Sequence, residues 1–265
     1  MRFRSIASGS NGNCIFTGTD HTNILIDAGI SCKRIETGLN ELELTGNDLS
    51  GILITHEHSD HIQGLKILSK HCHIPIYGTA GTIEAIKEND KDGVIDPSLY
   101  HPIRPGTDFM IGDFLVQAVR TSHDAADPAA YRLNAEGKSV AVMTDLGTWT
   151  EEQVRFLQGL NGLLLESNHD IRMLETGSYP YVLKRRILSD FGHLSNEMSG
   201  KLLNRVLGPE MRFTLLGHLS EENNYPELAL LSVKNEIDLS DSPWHADDFR
   251  IEVASRYASS EIFEI

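Results

Sequence analysis

Continuous apolar runs alternate with amphipathic stretches along the chain, and turn residues separate them. The runs Asn23 to Ile26, Ile52 to Thr55, Phe114 to Val119, Ser139 to Thr144, Leu163 to Leu165 and Phe213 to Leu216 read as short strands, several of them covered on both faces. Helices are predicted to start near Ser31, near Ile62 with Leu65 and Leu68 at helical spacing, and after Thr150, where Gln153 completes a capping box. Two more follow Ser195 and Asn224, the latter with Pro226 and Glu227 in its first turn. The alternation predicts a layered α/β fold with helices on both sides. Neither a Gly/Ser linker nor a short-period repeat interrupts it, so residues 1–265 are expected to form one domain.

An apolar content of 40% over 265 residues is enough for a sizeable core without disulfides. Cys14, Cys32 and Cys72 are far apart, which indicates neither a disulfide framework nor a thiolate zinc cluster and suits a reducing cytosol. No apolar run reaches the roughly 20 residues needed to span a bilayer, and the first residues lack a signal-peptide core. A cytoplasmic protein with no membrane partner is therefore expected. The formal charge of −15 speaks against a binding module that holds nucleic acid through a broad basic face. It speaks less against a metal enzyme, because bound cations can hold a phosphate on an acidic protein. The triple Lys184-Arg185-Arg186 reads first as a solvated helix face and second as a grip on a backbone phosphate.

The strongest chemical signal is Thr55-His56-Glu57-His58-Ser59-Asp60-His61, directly after an apolar strand candidate. Side chains two residues apart share a face of an extended turn, so His56 and His58 point together, while Asp60 and His61 project beside them as a helix begins. Such a set can serve two neighbouring metal ions, one rich in imidazole and one receiving a carboxylate. His123, Asp145 and His218 each follow another strand candidate, where α/β sheets gather functional loops. Singly, each reads as a capping or solvated residue; jointly they complete a ligand set.

In this order of motifs the chain resembles the metallo-β-lactamase fold hydrolases, and the resemblance covers nearly the whole chain. It implies an αββα sandwich. It also implies one metal at His56, His58 and His123, a second at Asp60, His61 and His218, with Asp145 bridging, and Asp27 orienting ligands from behind. Imidazole and carboxylate donors without thiolate suit zinc and are compatible with manganese or iron. The implied chemistry is hydrolysis by a water acidified between two divalent ions, with Asp60 both ligating and accepting a proton. A Glu replaces the second signature His in redox diiron relatives, and a Cys replaces the bridging acid in true β-lactamases. His58 and Asp145 at these places favour hydrolysis of other substrates.

Glu166 to Asp170 and Gly192 to Asn196 resemble the Glu and His motifs of the nuclease branch, which implies His193 as general acid with Glu166 as its partner. With Ser8-Gly9-Ser10-Asn11-Gly12-Asn13 and His218 to Asn224, these motifs resemble the WalJ-like (YycJ-like) group of exodeoxyribonucleases. The resemblance implies DNA as substrate, cleaved from a 5′ end, with Ser8, Ser10, Asn11 and Asn168 toward the substrate. The segment between Asp145 and His218 is too short for the extra domain of RNA-processing members. A hydrolase of small esters, thioesters or cyclic nucleotides using the same metal centre is the alternative, and a metal-stabilised binding protein is the non-enzymatic one. The sequence does not fix an oligomeric state.

Overall fold

A computed structural model describes residues 1–265. Two seven-stranded sheets face each other. The first contains β1 (Arg2–Ala7), β2 (Cys14–Gly18), β3 (Asn23–Ile26), β4 (Gly51–Leu53), β5 (Ile76–Thr79) and β6 (Tyr100–Ile103). The second is built from β7 (Phe109–Ile111), β8 (Phe114–Arg120), β9 (Ala129–Ala135), β10 (Lys138–Met143), β11 (Gly162–Glu166), β12 (Phe213–Gly217) and β13 (Ile251–Val253). The last strand, β14 (Phe263–Glu264), returns to pair with β1. β3 through β6 run parallel, as do β10 through β13. β8 and β10 both lie antiparallel to β9 and so point the same way.

The period-2 alternation of each strand sorts its side chains between layers. Ile24 and Ile26 of β3 enter the core between the sheets, with Phe3, Ile15 and Leu53, while Leu25 faces the opposite side. In β11, Leu164 joins that central core and Leu163 and Leu165 face outward. On the outside of the first sheet lie α1 (Cys32–Asn40), α2 (Ser59–Ile62), α3 (Leu65–Cys72) and α4 (Ala80–Asn89); Ile35, Leu39, Leu65, Leu68 and Ile86 from three of them share one core cluster. The other segments are α5 (Glu151–Leu157), α6 (Ile171–Thr176), α7 (Tyr181–Ile187), α8 (Asn196–Val206) and α9 (Pro226–Asp238). α5, α8 and α9 cover the second sheet through Val154, Leu157, Leu202, Leu203 and Val233. The result is the expected αββα sandwich. No helix is long and apolar enough to cross a membrane.

Several predicted starts coincide with observed ones: Thr150 and Gln153 form their capping box, Ser195 accepts from Met198 N–H, and Pro226 opens α9. The run at Ile52 differs. The strand is Gly51–Leu53; Ile54 still donates its N–H to the Tyr77 carbonyl of β5, and at Thr55, whose N–H turns to Asp27, the chain enters the turn that carries His56. Tyr131, fully buried in β9, donates its hydroxyl to the Ile54 carbonyl at 2.8 Å and ties the second sheet to that turn. Tyr131→Phe leaves the carbonyl buried and unpaired, so about 1–3 kcal/mol of stability is expected to be lost. Urea unfolding measures this, and an unchanged midpoint would mean that Ile54 finds another donor.

Candidate metal centre

The strands that run the same way end along one edge, and their ends supply the polar side chains. Asp27 follows β3, Thr55 to His61 follow β4, His123 follows β8, Asp145 follows β10, Glu166 ends β11 and His218 follows β12. Asp27, Asp145 and His218 all hold left-handed backbone, with φ of 62°, 59° and 55°. For non-glycine residues this conformation costs roughly 1–2 kcal/mol each, and it is found where the surroundings over-determine it. It turns each side chain back over the strand end, toward the site. Gly29 has a separate role: a Cβ there would collide with the Asp60 carbonyl, so only glycine lets this backbone approach the histidine-rich turn. Hydrogen bonds from Asn13 N–H to Asp60 O and from Ala28 N–H to His61 O then fix the turn in place.

Four groups of donor atoms overlap there: His56, His58 and His123; Asp60, His61 and His218; His56, His61 and Asp145; and Asp145, Glu166, His193 and His218. His218 Nε2 lies 3.2 Å from Asp60 Oδ2 and 3.4 Å from Asp145 Oδ1; His61 Nε2 lies 3.3 Å from Asp60 Oδ2 and 3.2 Å from Asp145 Oδ2. His58 Nδ1 stands 3.3 Å from His123 Nε2. Metal–ligand bonds of about 2.1 Å put neighbouring donors roughly 3.0–3.4 Å apart, so these spacings suit shared cations. Of these donor atoms two are buried without a hydrogen-bond partner, His56 Nε2 and Asp145 Oδ2; the latter is near His61 without the alignment of a hydrogen bond. Buried polar atoms are rarely left so, and a divalent ion would satisfy both.

Three of the rings are held by their other nitrogen. His61 Nδ1–H donates to Asp27 at 2.7 Å, His123 Nδ1–H donates to the Gly192 carbonyl at 3.1 Å, and His218 Nδ1 lies 3.2 Å from Glu166. Thr55 completes the layer behind: its N–H and hydroxyl both donate to Asp27, and its hydroxyl oxygen lies 3.1 Å from His56 Nδ1. Such outer partners fix the tautomer and aim of a ligating imidazole. Glu166 is fully buried, its Oε2 accepts from Leu146 and Leu194 N–H, and its Oε1 is 2.7 Å from His193 Nδ1. The His193 ring also lines the open pocket beside Asp60, His58 and His218.

Charge is concentrated in this pocket. Burial alone would raise the Glu166 carboxyl, yet the His193 and His218 imidazoles outweigh it and hold the group at about 2. Burial would lower His218, but Asp145, Asp60 and Glu166 push it up to about 10. Burial would raise Asp145 too, and His218, His61 and His56 hold it well below the usual carboxylate range. Without metal, protons therefore take the place of cations. His218 lies above its ordinary 6.5, so its contribution is full below pH 6.5 and is lost as pH rises through about 10. Glu166 lies below its ordinary 4.5, so its contribution is present above pH 4.5 and is lost as pH falls through about 2. Chelator-stripped protein is expected to be most stable between pH 4.5 and 6.5. Urea midpoints across that range and up to pH 10 test this, and a flat alkaline limb would count against a charged His218.

The residues expected to face substrate divide. Ser10 lines the pocket. Ser8 does not: it is 1% exposed, its hydroxyl oxygen accepts from His218 N–H, and it therefore holds the strand end rather than substrate. Asn168 reaches the pocket wall, but its side-chain amide donates to the His218 carbonyl at 2.9 Å and is already engaged. Asn11 is exposed on the loop and lies outside the pocket lining. Sequence reading passed over Thr55, although it opens the signature, and Asn13, whose Nδ2 is 3.3 Å from His61 Nε2. No local signal marks Tyr179, Leu183 and Ile187 as the opposite wall, and of the basic triple Lys184-Arg185-Arg186 only Arg186 reaches it.

A model of the β-lactamase superfamily domain matches residues 22–214. Exodeoxyribonuclease WalJ of Streptococcus pneumoniae serotype 2 is 38% identical over 241 residues, covering 91% of this chain and 90% of that protein. Exodeoxyribonuclease YycJ of Bacillus anthracis is 39% identical over 238 residues, with 90% and 89% covered. Among solved structures, the metallo-β-lactamase fold protein YhfI from Bacillus subtilis superposes with a TM-score of 0.71 at 16% identity over 99% of both chains, a likeness of fold. With its sandwich, its strand-end histidines and aspartates, and this extent of identity, the chain belongs to the metallo-β-lactamase superfamily, in the group of the WalJ and YycJ proteins.

Proposed function

We propose that the chain is a metal-dependent phosphodiesterase that removes nucleotides from an end of DNA, with a 5′ end as the expected start. The observation that carries this reading is the His193–Glu166 pair set on the rim of the donor cluster, in a chain related over nine-tenths of its length to two exodeoxyribonucleases. His56, His58 and His123 would hold one ion, Asp60, His61 and His218 a second, and Asp145 would reach both. Zinc or manganese suits this set of imidazoles and carboxylates, and iron is compatible with it. Divalent ions bound there polarise a phosphoryl group and acidify the attacking water.

The chain's own residues do the rest. Asp60, 22% exposed at the pocket mouth, is placed to accept a proton from the attacking water. Glu166 holds His193 Nδ1–H, which leaves Nε2 to give a proton to the departing sugar oxygen. Asp27, Thr55 and Asn13 keep the donor atoms aimed. The free cysteines Cys14, Cys32 and Cys72 suit a reducing compartment, and a cytoplasmic location is part of the proposal.

The test is protein loaded in turn with zinc and manganese, analysed for metal content and assayed on single- and double-stranded DNA beside esters, thioesters and cyclic nucleotides. DNA shortened from its ends by wild-type protein and not by His56→Ala is the expected result. Intact DNA with turnover of a small ester instead would replace this reading by the small-molecule one.

A further inference from the structure

The pocket beside the donor cluster has unequal walls. One is polar, with Ser10, Asn168 and Ser220; the other comes from the loop before α7 and from α7 itself, with Tyr179, Leu183, Arg186 and Ile187. Leu183, Arg186 and Ile187 stand three and four residues apart, so they share one helical face. The cavity measures about 380 Å³, near the small end for ligand sites, which is room for a single nucleotide unit. A base pair, which is two such units, does not fit within it.

The basic triple separates into three roles. Lys184 Nζ donates to the Glu175 and Gly177 carbonyls, each at 2.8 Å, and so finishes α6. Arg185 lies over the Tyr181 ring at 6.0 Å, and only Arg186 lines the pocket. Arg186 pairs through two nitrogens with Asp124, its Nη2 at 2.9 Å from Oδ1, and Asp124 itself stands 3.4 Å from His123 Nε2. The Arg186 side chain is about half exposed, so a ligand in the pocket can reach it. A phosphate offers it the same forked geometry as the carboxylate, so one partner can replace the other. On a chain of net charge −15, attraction for a strand must come from such local contacts.

We propose that the reacting strand enters this pocket unpaired, one terminal nucleotide at a time, with its base stacked on Tyr179 and its phosphate held by Arg186 in exchange for Asp124. This rests on the nuclease reading and adds to it that a duplex is attacked only after its terminal pair opens. Stacking on an aromatic ring tolerates any base, which suits progressive removal of nucleotides.

The test uses metal-loaded protein and two duplexes of one sequence that differ only in their terminal pairs, mismatched in one and G·C in the other. Wild-type kcat/KM is expected to be at least about 5-fold higher on the mismatched end. Tyr179→Ala is expected to lower kcat/KM on that end by at least about 5-fold, the lower bound for losing one base–aromatic stack. Tyr179→Phe, which keeps the ring, is expected to restore it, with metal content and melting temperature equal in all three proteins. Equal rates on the two ends, or an unaffected Tyr179→Ala, overturns the proposal while leaving the nuclease reading intact. Wild-type protein that releases no nucleotide from either duplex overturns the nuclease reading itself.

Discussion

Asp145→Ala is expected to remove stoichiometric metal binding and to lower turnover at least about a thousandfold, since acidification of the attacking water depends on the ions. Its carboxylate is the one acid within 3.7 Å of His61, His123, His193 and His218 alike, so no neighbour can take over its place. Loss of the acid also leaves His61 and His218 close together with less negative charge to hold them, which disfavours the empty site as well. Elemental analysis and turnover of a phosphodiester check both halves of the expectation. Full metal occupancy in the variant would show that the two halves of the donor cluster bind independently.

His193→Ala is expected to behave differently, keeping its metal and losing about 100-fold in turnover on DNA, the lower end for general acid catalysis. The ring lies 3.6 Å from Asp145 but is anchored on Glu166, and the other donor atoms do not depend on it. A diester with a nitrophenolate leaving group needs little protonation as it departs. The same variant should therefore lose much less on bis(p-nitrophenyl) phosphate than on DNA. Equal losses on both substrates, or missing metal, would make His193 a structural residue.

The site was legible where function had compressed it into short segments. The residues from His56 to His61 sit in one turn, and the strand-end positions of His123, Asp145 and His218 follow from apolar runs that stop abruptly. The runs also show which strands are covered on both faces, and capping residues mark several helix starts. Other parts resisted for physical reasons. β9, Ala129–Ala135, mixes Arg132 and Asn134 with its apolar residues, which blurs its pattern although its partners β8 and β10 are its neighbours in the chain. Ser8 and Asn168 belong to polar motifs that resemble substrate contacts, but burial of their side chains against His218 is a matter of tertiary packing. The wall containing Tyr179 and Arg186 exists only because α7 folds back across the strand ends.

The three left-handed strand ends carry a cost for the lineage. Glycine at positions 27, 145 or 218 would relax the backbone there but would strip away the carboxylates and the imidazole that hold the buried neighbouring rings, so the strain is kept in place by the same contacts that build the site. Robustness and reactivity are thus tied to the same three side chains, and a change at any one of them is felt in both.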